Sequence, residues 1–188
     1  MNRIIKFSLL LFFFLGGIQA FGQPAVKINN GIIVLDDNFV VYREKNYLKT
    51  IDSLDKVLKN NPKDTSALFY RALFYTRSND ILAKPYQVDP KALAELTIAK
   101  TFVERALTLS MQDFKLKVLR AEIFAGLCYR YSGDESWKFK PLEITARKKS
   151  FIEYKTKANQ YYEELAKVDP HNAYDYERRL VKYDYPIK

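Results

Sequence analysis

One apolar stripe that ends on a proline and restarts at once constrains this chain more than any other feature. Tyr47, Ile51, Leu54 and Leu58 step by four, three and four, which places them on one face of a helix. Asn60-Asn61-Pro62 stops that helix. Asp64 is placed to cap the next, which carries Leu68, Ala72 and Tyr75 and ends at Ser78-Asn79-Asp80. Two amphipathic helices in direct succession cannot bury their stripes alone, so they call for further helices stacked on them.

The rest of the chain continues in that manner. Residues 81 to 91 form a connection with Pro85 and Pro90. A helix with Leu96, Ala99, Val103 and Leu107 on one face follows it. Asp113 caps another, built on Leu116, Leu119, Ile123 and Leu127 with Phe124 and Tyr131 beside them. Residues 132 to 141 are a polar loop holding Trp137. A longer helix runs to about Lys167 with Phe151, Tyr154, Ala158, Tyr161 and Leu165 facing inward, and Pro170 breaks it. Asn172 is the expected cap of a last short helix ending near Lys182, and Tyr183 to Lys188 is expected to be extended. Low glycine and abundant Leu, Ala, Lys and Glu agree with an all-α chain.

Two terminal regions read differently. Arg3 and Lys6 precede a nearly pure apolar run, Phe7 to Leu15, and Ala20-Phe21-Gly22 offers the small residues of a signal peptidase site. Residues 1–22 are therefore expected to be a signal peptide, cut after Ala20 or Gly22. The alternative is an uncleaved anchor, but Lys6, Gly16, Gly17 and Gln19 interrupt the apolar stretch. The phenylalanine run and its Ala-Phe-Gly-Gln ending resemble secretory signals of Bacteroidetes-type bacteria. Residues 23–46 admit two readings. Ile32-Ile33-Val34 and Phe39-Val40-Val41, separated by Asp36-Asp37-Asn38, have the propensity of a hairpin. In a stack of helix pairs the same residues would be a helix, and helix is expected from about Asn38 onward.

Composition excludes several functions. Net charge is +9, and loss of Arg3 and Lys6 would leave +7. That favours an anionic partner, though the basic residues are spread along helices as on an ordinary solvated surface. Nucleic acid is not an expected partner of an exported protein. Cys128 is the single cysteine and His171 the single histidine, so neither a disulfide nor a zinc site is expected. Cys128 lies on an apolar helical face and reads as a buried structural thiol. No nucleophile–base pair or glycine-rich phosphate loop stands out, and Asp36-Asp37-Asn38 lacks the spacing of a calcium loop. No catalytic residue, cofactor or metal is expected, and no membrane span is expected after cleavage.

An internal echo suggests duplication. Asp64, Arg71, Ala72 and Tyr75 recur as Asp113, Arg120, Ala121 and Phe124, each 49 residues on. A compact helix pair repeats about every 34 residues, and the connection around residues 81 to 95 accounts for the excess.

Segment 47–80 resembles the tetratricopeptide repeat. Tyr47, Thr50, Leu54, Val57-Leu58 and Pro62 fill the places that family gives to Tyr, a small residue, an aromatic, Ala-Leu and proline. Leu68, Ala72 and Tyr75 open the next repeat. Ala99, Val103, Ala106 and Leu107 fit another second helix, with Met111 where proline is expected, and Ala158, Tyr162 and Pro170 fit a third. The resemblance implies a right-handed α-solenoid of stacked antiparallel helix pairs over residues 47–188. It also implies that first helices line a concave groove, here with Phe69, Leu73 and Thr76, then Lys115, Val118 and Glu122. Family members that clamp a terminal carboxylate place Lys and Asn there. Phe69, Leu73 and Val118 point instead to an apolar peptide or protein. The alternative is that Phe69 and Leu73 are core.

Trp137, in Ser136-Trp137-Lys138-Phe139-Lys140, is the last candidate. Such a loop could stack on sugar rings or sit at a membrane surface, but folding back onto the core as a lid is the expected arrangement. The function so implied is an exported interaction scaffold of the periplasm or cell envelope that binds a protein or peptide and is not an enzyme. A glycan- or envelope-polymer-binding protein using Trp137 and the tyrosines is the alternative.

Overall fold

The computed structural model describes residues 25–35, 44–80 and 90–188. The expected signal peptide, the helix start near Asn38, the strand expected at Phe39–Val41, the side chain of Tyr47 and the linker around Pro85 lie outside the described residues. The chain is mostly helical. A hairpin of β1 (Val26–Asn29) and β2 (Ile32–Leu35) precedes α1 (Glu44–Asn60), α2 (Thr65–Asp80), α3 (Pro90–Thr108), α4 (Phe114–Tyr131), α5 (Pro141–Val168) and α6 (Ala173–Glu177). Short 3-10 turns cover Ser136–Lys138 and Pro170–Asn172.

The hairpin has a different partner strand from the one expected. Ile32–Leu35 pairs back to Val26–Asn29, with Val26 opposite Leu35 and Ile28 opposite Ile33. The reason is the two-residue turn Asn30-Gly31, whose φ values of 50° and 73° are those a twisted two-residue hairpin loop needs. Asn-Gly is the strongest short-range hairpin signal in a sequence, and Asp36-Asp37-Asn38 lies outside the described residues.

Each helix packs on the next in the chain, and α2 also packs on α4. Ala72, Ala99, Ala106, Ala121 and Ala158 are fully buried, so small side chains sit where helix backbones approach. Larger side chains fill the remaining core, among them Leu68, Phe74, Leu96, Leu119 and Ile123. Both expected caps form: Asp64 Oδ1 accepts from Ala67 N at 2.8 Å and Asp113 Oδ1 from Lys115 N at 2.8 Å.

The 49-residue echo extends into the packing. Arg71 donates from Nε and Nη2 to the two carboxylate oxygens of Asp55 at 2.7 and 3.3 Å. Arg120 does the same to Glu104 at 2.8 and 3.0 Å. Asp55 and Glu104 are themselves 49 residues apart. The unit that repeats is thus α1 with α2, then α3 with α4, each joined by a forked arginine–carboxylate pair.

The C-terminus departs from expectation. The last helix ends at Glu177, not near Lys182, and Asn172 does not cap it. Its Nδ2 donates to Asp169 Oδ2 at 2.9 Å instead. Beyond α6 the tail is tied to α5. Asn159 brackets Val181, accepting from its N–H at 2.7 Å and donating to its carbonyl at 3.2 Å. Val181 and Ile187 are buried, so the tail belongs to the fold.

Candidate functional site

The face expected to be an open groove is closed by the chain's own hairpin. β2 packs on α4, and Ile33 is fully buried. Its backbone belongs to an edge strand, and among the described residues no third strand satisfies it. The helices supply the partners: Glu122 Oε1 accepts from Ile33 N at 2.6 Å, and Arg77 Nη2 donates to Ile33 O at 2.5 Å. Arg77 also bridges to Glu122 Oε2, and its Nη1 donates to Asp80 Oδ2 at 2.8 Å. At the turn, Arg179 donates from Nε and Nη2 to the Asn30 carbonyl at 3.2 and 3.0 Å.

Electrostatics follow this geometry. Burial pushes the Glu122 carboxyl above its ordinary pKa, against the opposing pull of Arg77 and the Ile33 N–H. Burial disfavours the charged Arg77 guanidinium, but the carboxylates of Glu122 and Asp80 outweigh it and hold the pKa up. Arg77 therefore stays charged inside the clamp.

Beside the hairpin the helices leave a cleft of about 400 Å³. Its inner wall includes Thr76, Arg77, Glu122 and Tyr162, and its rim includes Tyr129, Arg179 and Tyr183. Gly126 occupies the position 49 residues after Arg77. A Cβ there would meet Leu96 Cδ1 at 3.3 Å, so the missing side chain keeps this wall low. Asn79 is fixed at the edge, donating to Ala92 O at 2.6 Å and accepting from Arg130 Nε at 2.9 Å. Tyr162 is buried and its phenol pKa is raised, so it remains a neutral hydroxyl. The cleft thus offers guanidinium, carboxylate and phenol groups together, which suits hydrogen bonding and stacking with a polar ligand.

The residues expected from sequence are distributed unevenly. Phe69, Leu73 and Val118 are core, at 3%, 0% and 0% exposure. That corrects the open-groove expectation for them: the alternative, in which Phe69 and Leu73 are core, describes the fold. Thr76 and Glu122 are also buried but line the cleft. The Thr76 hydroxyl is engaged with its own helix, donating to Ala72 O at 2.9 Å. Lys115 is half-buried at the start of α4. Trp137 does not fold back as a lid and stands 77% exposed. Phe139 is the ring that folds back, under the Arg147 guanidinium at 4.1 Å.

Sequence reasoning missed Arg77, Tyr129, Arg179 and Tyr183. Arg77 directly follows the predicted Thr76, and one helical turn separates it from Leu73. Arg179 and Tyr183 carried no signal, because they reach the cleft only through the folding of the tail. Among the described residues, no group of three or more His, Cys, Asp or Glu could hold a metal. No protein-family model matches this chain, and no curated protein and no solved structure matches it.

Proposed function

We propose that this chain is an exported, tetratricopeptide-like helical-repeat protein that works as a protein–protein interaction scaffold in the periplasm or cell envelope. The observation that carries this reading is the repeated forked pair, Arg71 with Asp55 and Arg120 with Glu104, at one offset in two successive helix pairs. Such repetition supports a scaffold built by stacking one unit. Export rests on the basic start and apolar run of residues 1–22. Because Phe69, Leu73 and Val118 are buried in the core, the surface offered to a partner is the cleft beside the hairpin. Tyr129 and Tyr183, 41% and 43% exposed, are the anchors on its rim.

The test is affinity capture of the tagged protein, cross-linked in its native envelope, with mass spectrometry of what is held. A specific protein lost with Tyr129→Ala plus Tyr183→Ala, while helicity is retained, supports the scaffold. Capture that persists unchanged in that variant removes the cleft from the reading. The tyrosine rim also favours a second reading, a glycan-binding protein, because sugars stack on such rings. Retention of the protein by purified envelope polysaccharide, with no protein partner, selects that reading.

A further inference from the structure

Residues 137–152 carry a surface that the cleft does not use. Trp137 and Leu142, at 77% and 85% exposure, are the two most exposed large apolar residues among those described. Ile152, further along the same helix, is 52% exposed. These are not isolated side chains. On α5 the positions 142, 145, 149, 152 and 156 step by three and four, so they share one face, and all five are exposed. That face runs Leu142, Thr145, Lys149, Ile152, Thr156. The 3-10 turn that precedes the helix holds Trp137.

The net charge of this segment is positive. Within residues 137–152, Lys138, Lys140, Arg147, Lys148 and Lys149 outnumber Glu143, with Glu135 and Glu153 flanking them and Glu135 Oε1 3.6 Å from Lys138 Nζ. Even Glu143 is engaged as a cap, accepting from Lys140 N at 2.7 Å. The four lysines are exposed. Sugar binding asks for planar rings with polar partners, and Leu142 and Ile152 are aliphatic. A solvent-facing tryptophan, exposed aliphatic side chains and long lysines around the start of a helix are instead the makeup of an interfacial segment. Tryptophan favours the headgroup level, and lysine reaches lipid phosphates.

We infer that this face docks on an anionic phospholipid surface, with Trp137 and Leu142 in the headgroup layer and the lysines on lipid phosphates. No described helix is long and apolar enough to cross a membrane.

Trp137 is the only tryptophan in the chain, so its emission reads this face alone. The protein, recovered after export, is titrated with vesicles of phosphatidylglycerol and phosphatidylcholine, and with phosphatidylcholine alone. The expected result is a blue shift with the anionic vesicles only, reversed by salt. Lys138→Glu with Lys140→Glu weakens that binding by about tenfold or more. Leu142→Ser with Ile152→Ser weakens vesicle flotation, with circular dichroism unchanged. All variants are recovered in the same way, so differences among them report the patch. Unchanged emission with anionic vesicles at low salt overturns the inference. So does an equal shift with neutral vesicles, a shift that survives the lysine reversals, or one produced only by envelope polysaccharide.

Discussion

Arg77 and Glu122, one on α2 and the other on α4, close on each other and on the backbone of Ile33. The carboxylate accepts from Ile33 N–H and the guanidinium donates to Ile33 C=O. Two side chains thereby satisfy an edge strand and pin the hairpin over the helices. Removing Glu122 leaves the buried Ile33 N–H without its acceptor, while Arg77 keeps Asp80. Glu122→Ala is expected to cost about 1–3 kcal/mol in urea unfolding, and Glu122→Gln less because an acceptor for Ile33 remains. A loss below about 1 kcal/mol for Glu122→Ala would show that the clamp holds nothing together.

The forked pairs predict matching energetics. Asp55 is 51% exposed and Glu104 38%, so solvent screens both. Double-mutant cycles on Arg71–Asp55 and Arg120–Glu104 should each give a coupling of about 0.5–1 kcal/mol. A coupling in one pair and none in the other would deny that they are equivalent parts of one repeat.

Gly31 sits at φ 73°, and a Cβ there would meet the Asp175 carbonyl oxygen at 3.1 Å. Gly31→Ala therefore adds backbone strain and a contact with α6. The expected cost is about 1–3 kcal/mol by chemical denaturation. An unchanged midpoint would mean that the hairpin turn contributes nothing to stability.

Cys128 is buried and free, and its Sγ donates to Phe151 O at 3.9 Å. Burial pushes its thiol up from 9.0 to about 11. The folded value is the higher one, so the unfolded chain loses this proton first as pH rises. The contribution to stability is whole below pH 9 and falls as pH climbs through about 11. Alkylation of the folded protein at pH 8 should be negligible and become complete in guanidinium. Fast labelling of the native protein would contradict the buried placement.

Phe69 packs edge-on against Tyr70 with ring centroids 5.2 Å apart. Phe69→Ala is expected to cost about 3–5 kcal/mol as a core cavity, measured by thermal or urea unfolding. A stable Phe69→Ala protein that loses a partner would return this residue to a binding face.

Periodicity and punctuation alone determined most of the helices. Stripes such as Leu96, Ala99, Val103 and Leu107, the caps Asp64 and Asp113, and the breaks at Pro62 and Pro170 are local facts, and helices form from local contacts. The 49-residue echo was legible too, but only in α2 and α4; its acceptors Asp55 and Glu104 emerge from helices packed side by side. Even the hairpin had a local marker in Asn30-Gly31. What the sequence could not disclose is which surfaces stay open. Phe69, Leu73 and Val118 are buried in the core, and Glu122, Arg77 and Ile33, 44 to 89 residues apart, meet in space to fix the hairpin. The cleft forms only where the tail folds back with Arg179 and Tyr183. Trp137 faces solvent while Phe139 packs under Arg147. Secondary structure follows from neighbours along the chain, whereas exposure, and with it the candidate site, depends on contacts between distant segments that only the tertiary fold decides.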